Sequence, residues 1–114
     1  MKAKSIYGKS PEEIKIALQQ AMADNFKPTL AIAFISIKQD RKAICEILKK
    51  DGIAIFGASS CGEFINGHQS EGEMVVLLLD IPKAYYSILY EEINDGNIDS
   101  AAAKLAGDAL QKFK

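Results

Sequence analysis

Residues 29–37, TLAIAFISI, constrain this chain more than any other stretch. The run carries no charge and is rich in β-branched residues. It is far too short to cross a bilayer, so it has to be buried inside a protein. A run of this length and composition reads as a central strand covered on both faces. A second apolar run, IAIF at 53–56, reads as another buried strand. Between them Asp40 is placed to cap a helix whose inner face carries Ile44, Ile47 and Leu48, and Gly52 is placed to stop it. Strand, short helix and strand in succession predict a right-handed parallel βαβ unit.

The flanking segments extend that unit. Ser10-Pro11-Glu12-Glu13 is a helix start, with a hydroxyl to cap, a proline for the first helical position and a capping-box glutamate. Ile14, Ala17, Leu18, Ala21 and Met22 then recur on one helical face, and the pattern ends near Asp24 and Asn25. KSIYG ahead of it is a candidate short first strand. MVVLLLDI at 74–81 reads as a third buried strand, broken by Pro82. AYYSILYEEI at 84–93 alternates loosely, and predicts a strand forming an antiparallel hairpin with the one before it. Asp99 or Asn97 can cap a last helix with a stripe of Ala102, Leu105, Ala106, Ala109, Leu110 and Phe113. The expected fold is α/β. It is a mixed sheet of four to five strands with a βαβ unit, a C-proximal antiparallel hairpin and about three helices packed on it, in one domain over residues 1–114.

Composition narrows the function. A net charge of −1, with no basic cluster denser than Lys49-Lys50, argues against a broad grip on nucleic acid or anionic lipid. MKAKSIYGKS has no apolar core of the secretory kind. Cys45 and Cys61 stand apart with no metal-ligand or CxxC spacing, so neither a metal, a cofactor nor a disulfide is expected, and the cytoplasm is the expected compartment. Cys45, on a helix flank, reads as a small buried hydrophobe.

Residues 56–64, FGASSCGEF, close the second strand of the βαβ unit. Ligands of open α/β sheets bind beyond the C-terminal ends of the parallel strands, where this segment lies. A catalytic reading would use the Cys61 thiol with His68 as its base and Glu63 as the orienting group. A phosphate loop is the weaker reading, because GASSCG lacks the GxGxxG pattern, no Walker lysine follows and no helix is expected directly after it. A ligand turn fits better. The hydroxyls of Ser59 and Ser60 and the amides around Gly57 and Gly62 can hold a carboxylate, while Glu63 takes an ammonium group or closes the turn on backbone amides. The plain alternative is that the serines bond only the local backbone. INGHQSEGE, which follows, reads as a polar turn in which His68 has no special role.

In this order of elements the chain resembles the N-terminal part of the FIST domain. That family carries G-[CA]-[ST]-[ST]-x-G-E after its second core strand, matched here by Gly57, Ala58, Ser59, Ser60, Cys61, Gly62 and Glu63. SPEEIKIALQQAM resembles its first helix and GNIDSAAAKLAGDAL its alanine-rich helix, so the likeness runs from about Ser10 to about Leu110. The resemblance implies an intracellular sensory domain of bacterial signal transduction, without enzymatic activity, that binds a small amino-acid-like ligand. It places Gly57, Ser59, Ser60, Cys61, Gly62 and Glu63 at the ligand. Because the family's domain has two halves, it also implies self-association or a C-terminal FIST partner.

Overall fold

The computed structural model of the chain describes residues 1–60, 63–65, 68–70, 73–93 and 96–113. It divides into two compact units, Met1–Pro82 and Lys83–Lys114. In the first unit β1 (Lys2–Gly8), α1 (Pro11–Ala21), β2 (Leu30–Ser36), α2 (Arg41–Lys50) and β3 (Ala54–Ser60) are followed by β4 (Glu63–Ile65), β5 (His68–Ser70) and β6 (Met74–Asp80). The fold is α/β, built on a four-stranded mixed sheet in the order β1-β6-β2-β3.

β2 and β3 pair in parallel, with Ala33 opposite Gly57, so the predicted βαβ unit is present. β6 runs antiparallel to both β1 and β2 and lies between them. β1 is therefore parallel to β2 but separated from it by one strand, and the β1–α1–β2 connection crosses over β6. This placement explains why the expected hairpin is absent. Both edges of β6 are occupied, so AYYSILYEEI has no edge to join. Lys83–Tyr85 form a 3-10 turn instead, and residues 86–93 carry no regular structure. Pro82, which cannot donate to a ladder, stands at the break.

The helix ends follow from the sequence. Ser10 Oγ accepts from the Glu13 amide at 3.2 Å, and Glu13 in turn accepts from the Lys9 amide, one residue earlier than a capping box requires. Asp40 accepts from the Ala43 amide at 3.1 Å. At the far end of α2, Gly52 adopts a left-handed φ of 71°. Its amide bonds the Lys49 carbonyl at 2.9 Å and the Ile53 amide bonds the Leu48 carbonyl at 3.2 Å. That double bond is the Schellman arrangement, and the buried pair Leu48 and Ile53 completes it.

The core lies between one face of the sheet and the two helices. Ile14 and Leu18 of α1 and Ile44 and Leu48 of α2 are buried there. They pack on Ile6, Ile35, Val76 and Leu78, with Ala31 and Ala33 keeping the centre of β2 thin enough for the helices to approach. The other face is not covered in the way the unbroken run of β2 suggested. Phe34 is 48% exposed, as are Tyr7 (54%) and Phe56 (56%) on neighbouring strands of that face. The reason is topological: α1 and α2 share one core cluster, and so lie on the same side of the sheet. INGHQSEGE at 65–73, expected as a polar turn, overlaps a two-stranded ladder of β4 with β5 instead. Glu63 pairs with Ser70 and Ile65 with His68. Asn66-Gly67 separates the strands, the residue pair that favours a two-residue hairpin loop.

The second unit holds α3 (Ile98–Lys112), capped by Asn97, whose side chain accepts from the Ser100 amide at 3.0 Å. Lys104 pairs with Glu91 at 3.1 Å. Leu110 and Phe113 of the expected stripe are exposed. One helix and one 3-10 turn offer too little apolar surface to bury such a stripe within their own unit. Among the described residues no helix is long and apolar enough to cross a membrane.

Candidate functional site

A groove of about 360 Å³ lies between α2 and β3. β3 is an edge strand that pairs only with β2 among the described strands. Side chains alternate along a strand, so Ile55, Gly57 and Ser59 share the face turned toward α2. On the helix, Arg41, Cys45 and Lys49 fall at i, i+4 and i+8, one row beside the buried Ile44 and Leu48. All six line the groove, over a floor completed by Ala33 and Ile35. Because the crossover helix runs opposite to β3, Arg41 stands toward the C-terminal end of the strand, and Lys49 toward its start.

Gly57 has a structural role as well as a lining one. A Cβ at this position would stand far inside contact distance of the Ala33 carbonyl oxygen, so only glycine lets β3 sit this close to β2. With no side chain at Gly57, the middle of the groove stays open. Ser59, one step further along this face, supplies a hydroxyl.

The electrostatics distinguish this groove from its neighbour. A larger and more open concavity, about 780 Å³, runs between β1 and α1. Its charges are engaged: Lys4 meets Asp24 at 2.8 Å, Lys9 faces Glu73 at 3.8 Å, and Glu13 bonds the Lys9 amide. Lys4 also donates to the Ala21 carbonyl at 2.7 Å, tying β1 to the end of α1. Its ammonium holds the Asp24 carboxyl below the usual aspartate range, chiefly through the hydrogen bond. Arg41 and Lys49 form no ion pair with any described residue. Two cations without counter-charges among the described residues therefore flank a groove with an apolar floor and one hydroxyl. Such a site attracts an anion, and Arg41 can grip a carboxylate with two parallel N–H donors.

Beyond the Arg41 end lies the rim formed by the C-terminal ends of the parallel strands. Ser36 is buried there, its amide donating to the Glu73 carbonyl at 3.3 Å and its hydroxyl accepting from the Lys38 amide at 3.3 Å. Gln39 donates to the Lys9 carbonyl at 2.8 Å. The loops after β1 and β2 are thereby fastened together, which gives the α2 N-terminus a fixed position. The partial positive charge of that helix end adds to Arg41, and the Asp40 cap partly offsets it.

Of the residues marked in the sequence, Gly57 and Ser59 are brought into the groove. The Ser60 backbone ends β3 opposite Ser36, and the Glu63 backbone begins β4. The side chains of Ser60, Glu63 and His68, and all of Cys61 and Gly62, lie outside the described residues, and with them the Cys61–His68 pair. Cys45 is half-buried on the groove wall, not fully buried as expected. Arg41 and Lys49 were not singled out, although their four-residue spacing about Cys45 was visible. Among the described residues, no group of three or more His, Cys, Asp or Glu side chains could hold a metal ion. Comparison of the chain with protein-family models, with curated proteins and with solved structures gives no match.

Proposed function

We propose that this chain is a non-enzymatic ligand-binding module of the sensory kind, which takes a small carboxylate-bearing ligand such as an amino acid in the groove between α2 and β3. One observation carries the reading. Gly57 and Ser59, from the segment that resembles the FIST ligand turn, share a groove with two cations that have no described ion-pair partner. The ligand carboxylate meets Arg41 and the Ser59 hydroxyl. Ligand binding to the folded state raises the melting temperature by mass action. A thermal-shift screen against the common amino acids is expected to yield at least one stabilising compound. A chain shown to be folded that none of them stabilises would count against the reading.

A second reading, self-association, is favoured by the partly exposed sheet face, where Leu30 and Val75 are buried but three aromatic rings are not. Tyr7, Phe34 and Phe56 present three half-exposed aromatic rings there, the kind of surface that interfaces use. Light scattering coupled to size exclusion is expected to show a dimer that dissociates on dilution. A strict monomer at high concentration removes this reading.

A further inference from the structure

The row Arg41–Cys45–Lys49 covers eight residue steps of α2, about 12 Å along the helix axis. Its two ends are cationic and its middle is a thiol. Across the groove the surface repeats the pattern of a polar end and an apolar middle: Ser59 stands near Arg41, then the open Gly57, then Ile55 toward Lys49. A monoanion would use one end of this site and leave the other cation idle beside an apolar wall.

We infer that the groove selects an elongated dianion, a small molecule with an anionic group at each end and an apolar middle. Arg41 and Ser59 hold one end, Lys49 holds the other, and the methylenes lie over Ile55 and the gap at Gly57. The inference rests on the ligand-binding reading above and adds the ligand class to it. The neighbouring grooves argue for this one. Between β1 and α1 the cations are already matched by carboxylates. Between α1 and α2 the lining mixes Lys15 and Lys50 with Glu12, Glu46 and Asp51, so neither sign dominates. Of the three, only the α2–β3 groove presents cations with no acidic side chain among its described lining residues. Like-charge ends without described acids between them reward a ligand that carries two negative groups over one that carries a single negative group.

The test is calorimetric titration of the folded chain with glutarate, adipate and suberate against the monoanion hexanoate. Affinity is expected to peak at one dicarboxylate length and to exceed that of hexanoate about fivefold, the scale of one exposed charge contact. Arg41→Ala and Lys49→Ala, both at exposed helical positions where alanine is well tolerated, should each reduce the best dicarboxylate to the level of hexanoate. Added salt should narrow the gap. Equal affinity for hexanoate and every dicarboxylate overturns the two-anchor inference and leaves the ligand-binding reading standing. Dicarboxylate binding that survives both substitutions places the anion elsewhere and also overturns it. Failure of all four compounds to bind removes the inference, while a neutral amino acid that still stabilises the chain would keep the broader reading.

Discussion

Gly57→Ala is the most revealing single substitution in the sheet. In an ordinary strand this change would help, because glycine in a strand interior is worse than alanine by about 0.5–1 kcal/mol. Here the added Cβ would overlap the Ala33 carbonyl oxygen. Ala33 cannot yield easily: it lies at the centre of β2, paired with β3 on one side and β6 on the other, and is buried. Relief must come from β3, which as an edge strand can move outward at the expense of its ladder bonds. Overpacking of this kind costs about 1–3 kcal/mol. Set against the gain from removing glycine, the expected net loss is roughly 1–2 kcal/mol. For a unit of this size that lowers the melting temperature by about 5–15 °C. Circular dichroism melts of the two chains measure it directly. Gly52→Ala serves as a comparison, because it strains a left-handed φ of 71° with nothing within 4 Å to clash, and should cost about 1 kcal/mol. A Gly57→Ala chain as stable as the parent, or more so, would refute the close approach of β3 to β2 and with it the shape of the groove floor.

Two further outcomes test the frame around the site. Leu48→Ala empties a fully buried position where α2 meets the sheet, and should cost about 2–5 kcal/mol in urea unfolding. A loss under 1 kcal/mol would mean that α2 does not pack as described. Asp24→Asn tests the Lys4 tie. The folded-state pKa of Asp24 is lowered, so its contribution is present above the ordinary aspartate range and is lost as pH falls through the lowered value. The asparagine variant should therefore be the less stable chain at neutral pH, with the difference closing in acid. A difference that persists unchanged in strong acid would point to packing instead of charge.

The parts of the fold legible in the sequence are those governed by local chemistry. The caps at Ser10 and Asp40 and the stop at Gly52 depend on a few adjacent residues, and the structure uses them as read, while of the two caps open for the last helix it uses Asn97. The β2–α2–β3 unit is legible because its apolar runs are unbroken. The hairpin after β6 fails for a non-local reason. Nothing in AYYSILYEEI reveals that β1, from the far end of the unit, already occupies that edge. The covering of β2 fails likewise, since an apolar run records that a strand is buried but not which side its helices take. At the site, Gly57 and Ser59 were legible because small and hydroxyl residues beside an apolar run are uncommon in a core, but they were expected in a turn after Phe56, whereas β3 continues through them to Ser60. Arg41 and Lys49 were not, because exposed cations on an amphipathic helix look the same whether they face solvent or a groove. Only the proximity of β3 tells these apart.

The central claim is that a small carboxylate ligand occupies the groove between α2 and β3. Titrating an isotopically labelled chain with L-glutamate and following its backbone amides by NMR tests this most directly. The account predicts saturable shifts at Arg41, Cys45, Lys49, Gly57 and Ser59, with Tyr7, Ile16 and Gln20 beside the β1–α1 concavity unmoved. Shifts confined to that second group, or none at all in a well-dispersed spectrum, would contradict it.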